Sequence, residues 1–224
     1  MASIVTVAAH EVVRATYPRP VTESDEIGMA VGKAIDETLA HFSWEARDAR
    51  RTSLAAMNRR AADVLDRELA DADLRLAPTE RDRQLEQIAG VLGAFRKSEV
   101  MGLGRPRSRL VLINEHVGVY TQPDYWDGRE RFYEMKSYRA LPMPPDVELQ
   151  MRLFQLGFPD FQAYLACFDR HAAPVTVTIE RIPSIEERVA REVLSIALRV
   201  GREHGVAKVL EYVDAPTVRY NVSA

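Results

Sequence analysis

Apolar residues recur at helical spacing over the first hundred positions and at strand-like spacing over much of the next eighty. A short apolar stretch, Ile4 to Ala9, opens the chain and gives way to Tyr17-Pro-Arg-Pro20, which cannot readily continue a helix. Ile27, Val31, Ile35 and Leu39 then step by four and share one face. They predict a helix that starts from Thr22 or Ser24 as N-cap and runs toward Phe42. A second helix is predicted over Trp44 to Ala72, striped by Leu54, Met57, Ala61, Leu65 and Leu69. After a break at Leu76 to Pro78, a third starts at Thr79 and carries Leu85, Ile88, Leu92 and Phe95. The pattern then changes to extended segments at Arg109 to Ile113, His116 to Tyr125 and Arg131 to Tyr138, read as a three-stranded meander. Asp127-Gly128 closes its second hairpin. Pro145 seats a helix over Asp146 to Leu156, with Gly157 near its end. Strands Phe161 to Phe168 and Val175 to Ile179 are expected to pair across Asp169 to Pro174. Ser184, with Glu187 at capping-box spacing, is expected to cap a long helix. A last extended piece, Ala207 to Val213, is placed at the edge.

This order predicts a mixed α/β protein: a central sheet of about four to five strands, flanked by helices, with a helical part ahead of it. We expect one domain over 1–224, divided into a mainly helical part (22–100), a sheet core (105–182) and a C-terminal helix and tail (184–224). With 46% hydrophobic and 28% charged residues the composition is that of an ordinary globular chain, and no apolar run is long enough to suggest a membrane span. The start of the chain lacks the basic and apolar regions of a secretory signal, so a cytoplasmic location is expected. The single cysteine, Cys167, excludes an internal disulfide and any site built on several thiolates. A net charge of −3 gives no general attraction for nucleic acid, so such a partner would be held by local basic groups or bound metal. Arg105, Arg107 and Arg109, alternating in a glycine- and proline-containing linker, are candidates for phosphate contact.

The segment Tyr120 to Arg139 concentrates the chemistry. On a strand, Glu134 and Lys136 share a face while Met135 points away. A hairpin about Asp127-Gly128 would bring Asp124 beside Glu134, so two carboxylates and one ammonium meet. Two carboxylates can share a hard cation, and an ammonium beside them can orient water. Lysine is scarce in this chain, four residues against twenty-six arginines, which makes Lys136 in such a place informative. Asp127 reads as a turn residue, and Tyr125, Trp126, Tyr133 and Tyr138 as sheet packing or base-stacking groups.

Pro123-Asp124, nine intervening residues and Glu134-Met135-Lys136 resemble the signature of the PD-(D/E)XK nuclease superfamily. Gly32-Lys-Ala-Ile35-Asp36-Glu37-Thr-Leu39 is similar to the G-x-x-[IV]-H-E-x-L helix of its RecB-like exonuclease branch, which includes the CRISPR-associated exonucleases, with Asp36 where histidine is usual. Gln150-Met-Arg-Leu-Phe154 is similar to that branch's Q-x-x-x-Y helix, with phenylalanine for tyrosine. The resemblance implies a restriction-endonuclease-like core without an iron-sulfur cluster, and a Mg²⁺- or Mn²⁺-dependent deoxyribonuclease acting on single-stranded DNA or DNA ends. It implies Asp124, Glu134 and Lys136 as catalytic residues and Asp36, Asp124, Glu134 and the Met135 carbonyl as metal ligands, with Glu37 the rival of Asp36. Gln150 would contact the substrate or Lys136, and Tyr138, among the aromatics named above, is the candidate for substrate contact by base stacking. A helicase, recombination or CRISPR adaptation protein is the implied partner, with no membrane association. The alternatives are a catalytically silent nucleic-acid-binding or assembly protein with the same fold, and a helical interaction module in which the triad is coincidental.

Overall fold

The computed structural model describes residues 3–42, 53–209 and 215–220. Its elements run β1 (Ser3–Ala8), α1 (Ala9–Thr16), α2 (Glu23–Ala40), α3 (Leu54–Asp71), α4 (Pro78–Phe95), β2 (Arg109–Leu112), β3 (Val117–Thr121), β4 (Tyr125–Trp126), β5 (Arg131–Lys136), α5 (Pro145–Gly157), β6 (Gln162–Asp169), β7 (Thr176–Ile182), α6 (Glu187–His204), β8 (Val206–Val209) and β9 (Thr217–Arg219). This is the mixed α/β architecture expected, with its strands divided between two mixed sheets, β8-β1-β3-β2-β9 and β4-β5-β6-β7.

The helices start where local chemistry dictates. Thr22 caps α2 with a reciprocal box: its hydroxyl accepts from the Asp25 N–H at 3.2 Å and the Asp25 carboxylate accepts from the Thr22 N–H at 2.9 Å. Pro78 and Pro145 occupy first-turn positions of α4 and α5, where a missing N–H costs nothing. Helix α3 begins at Leu54 with Ser53 as cap, so the part of the predicted second helix from 43 to 52 lies outside the described residues. The expected cap of α6 is not Ser184. The helix starts at Glu187 after an extended Glu186, with no side-chain cap, and Ile185 packs toward the core. Pairing this side chain with the core keeps residues before the helix extended.

The expected meander is interrupted. Strands β2 and β3 form an antiparallel hairpin, but β3 does not pair with β5. Pro123 lacks an amide donor and Gln122 turns aside, its side-chain amide donating to the Pro106 carbonyl at 3.0 Å. The chain therefore leaves the first sheet at Gln122 and enters the second as β4. The apolar stretch at the N-terminus forms β1, parallel to β3 and antiparallel to β8. The end of the chain contributes β8 at one edge, as expected, and β9 at the other; the expected extension to Val213 passes beyond the described residues.

Two apolar bodies flank the second sheet. One joins β1, β3, α1, α5 and α6 to the Phe132 and Leu165 face, and the other joins α2, α3 and α4 to Tyr133, Met135, Ala166 and Phe168. Strand β5 is therefore buried on both faces, which explains how a charged pair on it comes to be shielded from water.

Candidate active site

The short β4–β5 hairpin sets the central geometry. Tyr125 pairs with Tyr133 and Trp126 with Phe132, a register that places Asp124, one step earlier, across from Glu134. Gly128 supplies the positive φ of 77° that the turn requires. The Asp127 carboxylate accepts N–H bonds from Arg129, Glu130 and Arg131, so it builds the turn as expected. Asp124 is fixed in turn by the Met135 N–H, which donates to its carboxylate at 2.8 Å.

Glu134 is 3% exposed, and Lys136 donates to its Oε1 at 2.8 Å. The same ammonium donates to Gln150 Oε1 on α5 at 2.9 Å, which ties the strand to the helix. Glu134 Oε2 is shielded from solvent and has no hydrogen-bond partner among the described residues. A buried carboxylate oxygen left in that condition is costly unless a cation or donor reaches it.

Helix α2 brings the third carboxylate. Its buried face, Val31, Ile35 and Leu39, packs into the helical body, while Asp36 lies off that face and interacts electrostatically with Lys136 and Glu134 of β5. Burial pushes the Asp36 pKa up to about 7, against the pull of Lys136 and with a further upward push from Glu134. Burial likewise holds the Asp124 carboxyl well above the ordinary range, reinforced by Glu134 and Asp36 and opposed by Lys136 and the Met135 N–H. Burial works against the Lys136 ammonium, but Glu134 and Asp124 outweigh it and hold its pKa above the usual lysine value. Asp36, Asp124, Glu134 and Lys136 thus form one electrostatic unit.

Among the described residues, no three His, Cys, Asp or Glu side chains converge closely enough to hold a metal ion by themselves. The donor set still fits a hard cation in two respects. It leaves a buried carboxylate oxygen without a partner, and its carboxylates repel one another.

Other sequence candidates fall elsewhere. Glu37 pairs with Arg67 at 2.7 Å on the surface, so Asp36 and not Glu37 faces the cluster. Arg109 stacks over the Phe158 and Phe161 rings and donates to the Gly157 carbonyl, which commits it to packing. Tyr125 and Tyr133 are buried, the latter stacked on Tyr164, whereas Tyr138 is 37% exposed beside Lys136. Phe154 is buried edge-to-face against Phe132, so the residue standing in the tyrosine position packs the core. Cys167 is buried, as its apolar surroundings predict.

No family model matches the chain, and no curated protein matches it. Among solved structures it is similar to a proposed exonuclease from Eubacterium rectale. The two share 11% identity at a TM-score of 0.43, over 88% of this chain and 92% of that one. A likeness this distant carries no activity across, so the functional argument rests on the side chains. No helix among the described residues is long and apolar enough to cross a membrane.

Sequence reasoning passed over Arg170. It lies in the turn after β6, where its side chain donates to the Ser137 hydroxyl at 3.2 Å. Nothing in the local pattern Asp169-Arg170-His171 marks it, because its position depends on strand pairing thirty residues away.

Proposed function

We propose that the protein is a metal-dependent deoxyribonuclease of the PD-(D/E)XK kind, a hydrolase of phosphodiester bonds acting on single-stranded DNA or DNA ends, built as one domain. The observation that carries this reading is the buried Glu134–Lys136 pair, tied to Gln150 and set beside Asp124, with a Glu134 oxygen left unpartnered. A structural ion pair does not need a second and third carboxylate crowded against it, and the crowding raises the energy of the charged state.

In this reading Asp124, Glu134, Asp36 and the Met135 carbonyl would hold Mg²⁺ or Mn²⁺. When bound, the ion would supply a water of lowered pKa and positive charge against the phosphate oxygens. The hydrogen bond from Met135 N–H orients the Asp124 carboxylate toward the cluster. Lys136, kept charged by its carboxylate neighbours, holds the attacking water and offsets negative charge that develops on the phosphate. Gln150 keeps the Lys136 ammonium in place through its carbonyl oxygen. Tyr138 presents an exposed ring on which a base can stack. A helicase, recombination or CRISPR adaptation protein as partner, and a cytoplasmic location, belong to the same proposal.

The test is incubation of the protein with labelled single-stranded and duplex DNA in Mg²⁺ or Mn²⁺, beside a Lys136→Ala control. Cleavage that exceeds the control supports the enzyme reading, and equal rates end it. That no three-side-chain cluster is ready-made among the described residues favours a second reading, a nucleic-acid-binding protein without turnover. Binding of DNA with no cleavage in either metal would select it.

A further inference from the structure

We propose that Arg170, together with the open glycine face of α2, forms an anion site that holds a phosphate of the nucleic-acid strand adjoining the one under attack. This rests on the nuclease reading above and extends it along the strand.

Arg170 is a half-buried arginine that makes no direct salt bridge among the described residues. Its Nη1 donates to the Ser137 hydroxyl, while its Nε is shielded from solvent with no acceptor. Other arginines of the chain pair with acids: Arg67 with Glu37 and Glu68, Arg81 with Asp66, and Arg152 with Glu148. A guanidinium partly taken out of water with its Nε donor unmet is unfavourable unless an acceptor completes it. Burial accordingly works against its charge, while Tyr138 and the neighbouring Asp169 favour it in part.

Its position ties it to the candidate active site. Ser137 follows Lys136 directly, and the Tyr138 hydroxyl interacts electrostatically with both Lys136 and Arg170. On the other side, Arg170 Nη2 lies 3.5 Å from where a Cβ on Gly28 would stand. Gly28, Gly32 and Asp36 are spaced by four and share one stripe of α2. Among the described residues a Cβ at Gly32 would meet no heavy atom within 4 Å, so no packing seen there accounts for a glycine in this helix interior. The stripe from Gly28 to Asp36 spans about 12 Å, an open wall leading from Arg170 to the carboxylate cluster.

The planar fork of arginine matches phosphate oxygens, and the neighbouring Tyr138 ring offers a face for a base. A strand laid along this wall would place one phosphate at Arg170 while another sits at Asp124, Glu134 and Lys136. Arg170 is thus a binding residue that fixes how the strand is threaded.

The test measures binding of a labelled single-stranded oligonucleotide by fluorescence anisotropy, with Ca²⁺ in place of Mg²⁺, across a salt series. Arg170→Gln is expected to raise Kd about tenfold or more and to lower the slope of log K against log salt by about one. Arg170→Lys should recover part of the affinity, because the charge remains without the fork. Gly32→Leu covers the case in which Arg170→Gln fails to fold. It should raise Tm, because the space is free of protein, and yet weaken binding, because the wall is filled. Wild-type affinity and slope in folded Arg170→Gln, or wild-type affinity in Gly32→Leu, would overturn the site. If the wild type cleaves DNA and these variants bind normally, the anion site alone falls. If the wild type neither binds nor cleaves, the nuclease reading falls and takes this site with it.

Discussion

Replacing Lys136 by methionine removes the cation around which the buried carboxylates are arranged while keeping most of the side-chain volume. The Lys136–Glu134 contact is 2.8 Å, with side-chain exposures of 16% and 4%. At an effective dielectric of about 20 that separation corresponds to about 6 kcal/mol of gross attraction, most of it offset by the desolvation of both ions. Stranding the acid is a different matter from never having had the pair. With the cation gone, Glu134 loses the partner of Oε1 while Oε2 already has none, and Asp124 loses the charge that offsets its neighbours. We expect Lys136→Met to lower unfolding free energy at pH 8 by about 3–5 kcal/mol. The double replacement Glu134→Met/Lys136→Met should recover about 2 kcal/mol or more of that loss, because it removes the stranded charge as well. Urea denaturation with unchanged m-values is the appropriate measurement. The loss should shrink as pH falls, because the Asp124 carboxyl, held above the ordinary range by burial, takes up a proton. A loss below about 1 kcal/mol at pH 8, or single-variant effects that simply add in the double variant, would refute the account of a coupled buried unit.

Three further outcomes can be checked. Asp36 and Asp124 have raised pKa values in the fold, so their contribution is fully present below the unfolded carboxylate value of about 4 and is lost as pH rises, through about 7 for Asp36. The stability of Asp36→Asn relative to wild type should therefore increase between pH 4 and pH 8, and Mn²⁺ at pH 8 should raise the Tm of wild type more than that of the variant; a flat pH difference would oppose this. Gly157→Ala puts a methyl group onto the Thr121 hydroxyl where α5 meets β3, and should cost about 1–3 kcal/mol in chemical denaturation. Thr22→Ala removes the cap of α2 and should cost about 1 kcal/mol, with DNA cleavage per folded molecule unchanged because Asp36 lies more than three turns away.

What could be read from the sequence was whatever short-range chemistry specifies. The Thr22 cap, the proline-led start of α5 and the Asp127-Gly128 turn all act within a few residues, and each stands where its local pattern places it, whereas α4 takes in Pro78, which the pattern assigned to the break. The β4–β5 hairpin belongs to the same class, and so the proximity of Asp124 and Glu134 was legible. The division into two sheets was not. It depends on β1 pairing in parallel with β3 across more than a hundred residues, and parallel partners leave no mark on each other's sequence. Ser184 failed as a cap for a related reason: the capping pattern was present, but seating Ile185 against the core kept the preceding backbone extended. At the site, Asp36 could be singled out over Glu37 only once Arg67 of a different helix was seen to hold Glu37.

The break between the sheets also explains why charged groups collect where they do. Asp124 occupies the crossing segment, after Pro123 has ended pairing with the first sheet and before Tyr125 begins pairing with the second. A residue there has no strand partner of its own to satisfy, and its carboxylate is free to turn back onto the Met135 amide. Strand β5 contributes the opposite condition, a backbone buried on both faces that forces Glu134 and Lys136 to satisfy one another. Placing the crossing beside such a strand produces an electrostatically coupled group of charges in which the carboxylates repel one another. A purely structural ion pair would be more stable with Asp124 and Asp36 replaced by neutral residues, and under the nuclease reading proposed above a cation would relieve the repulsion between Asp124 and Glu134.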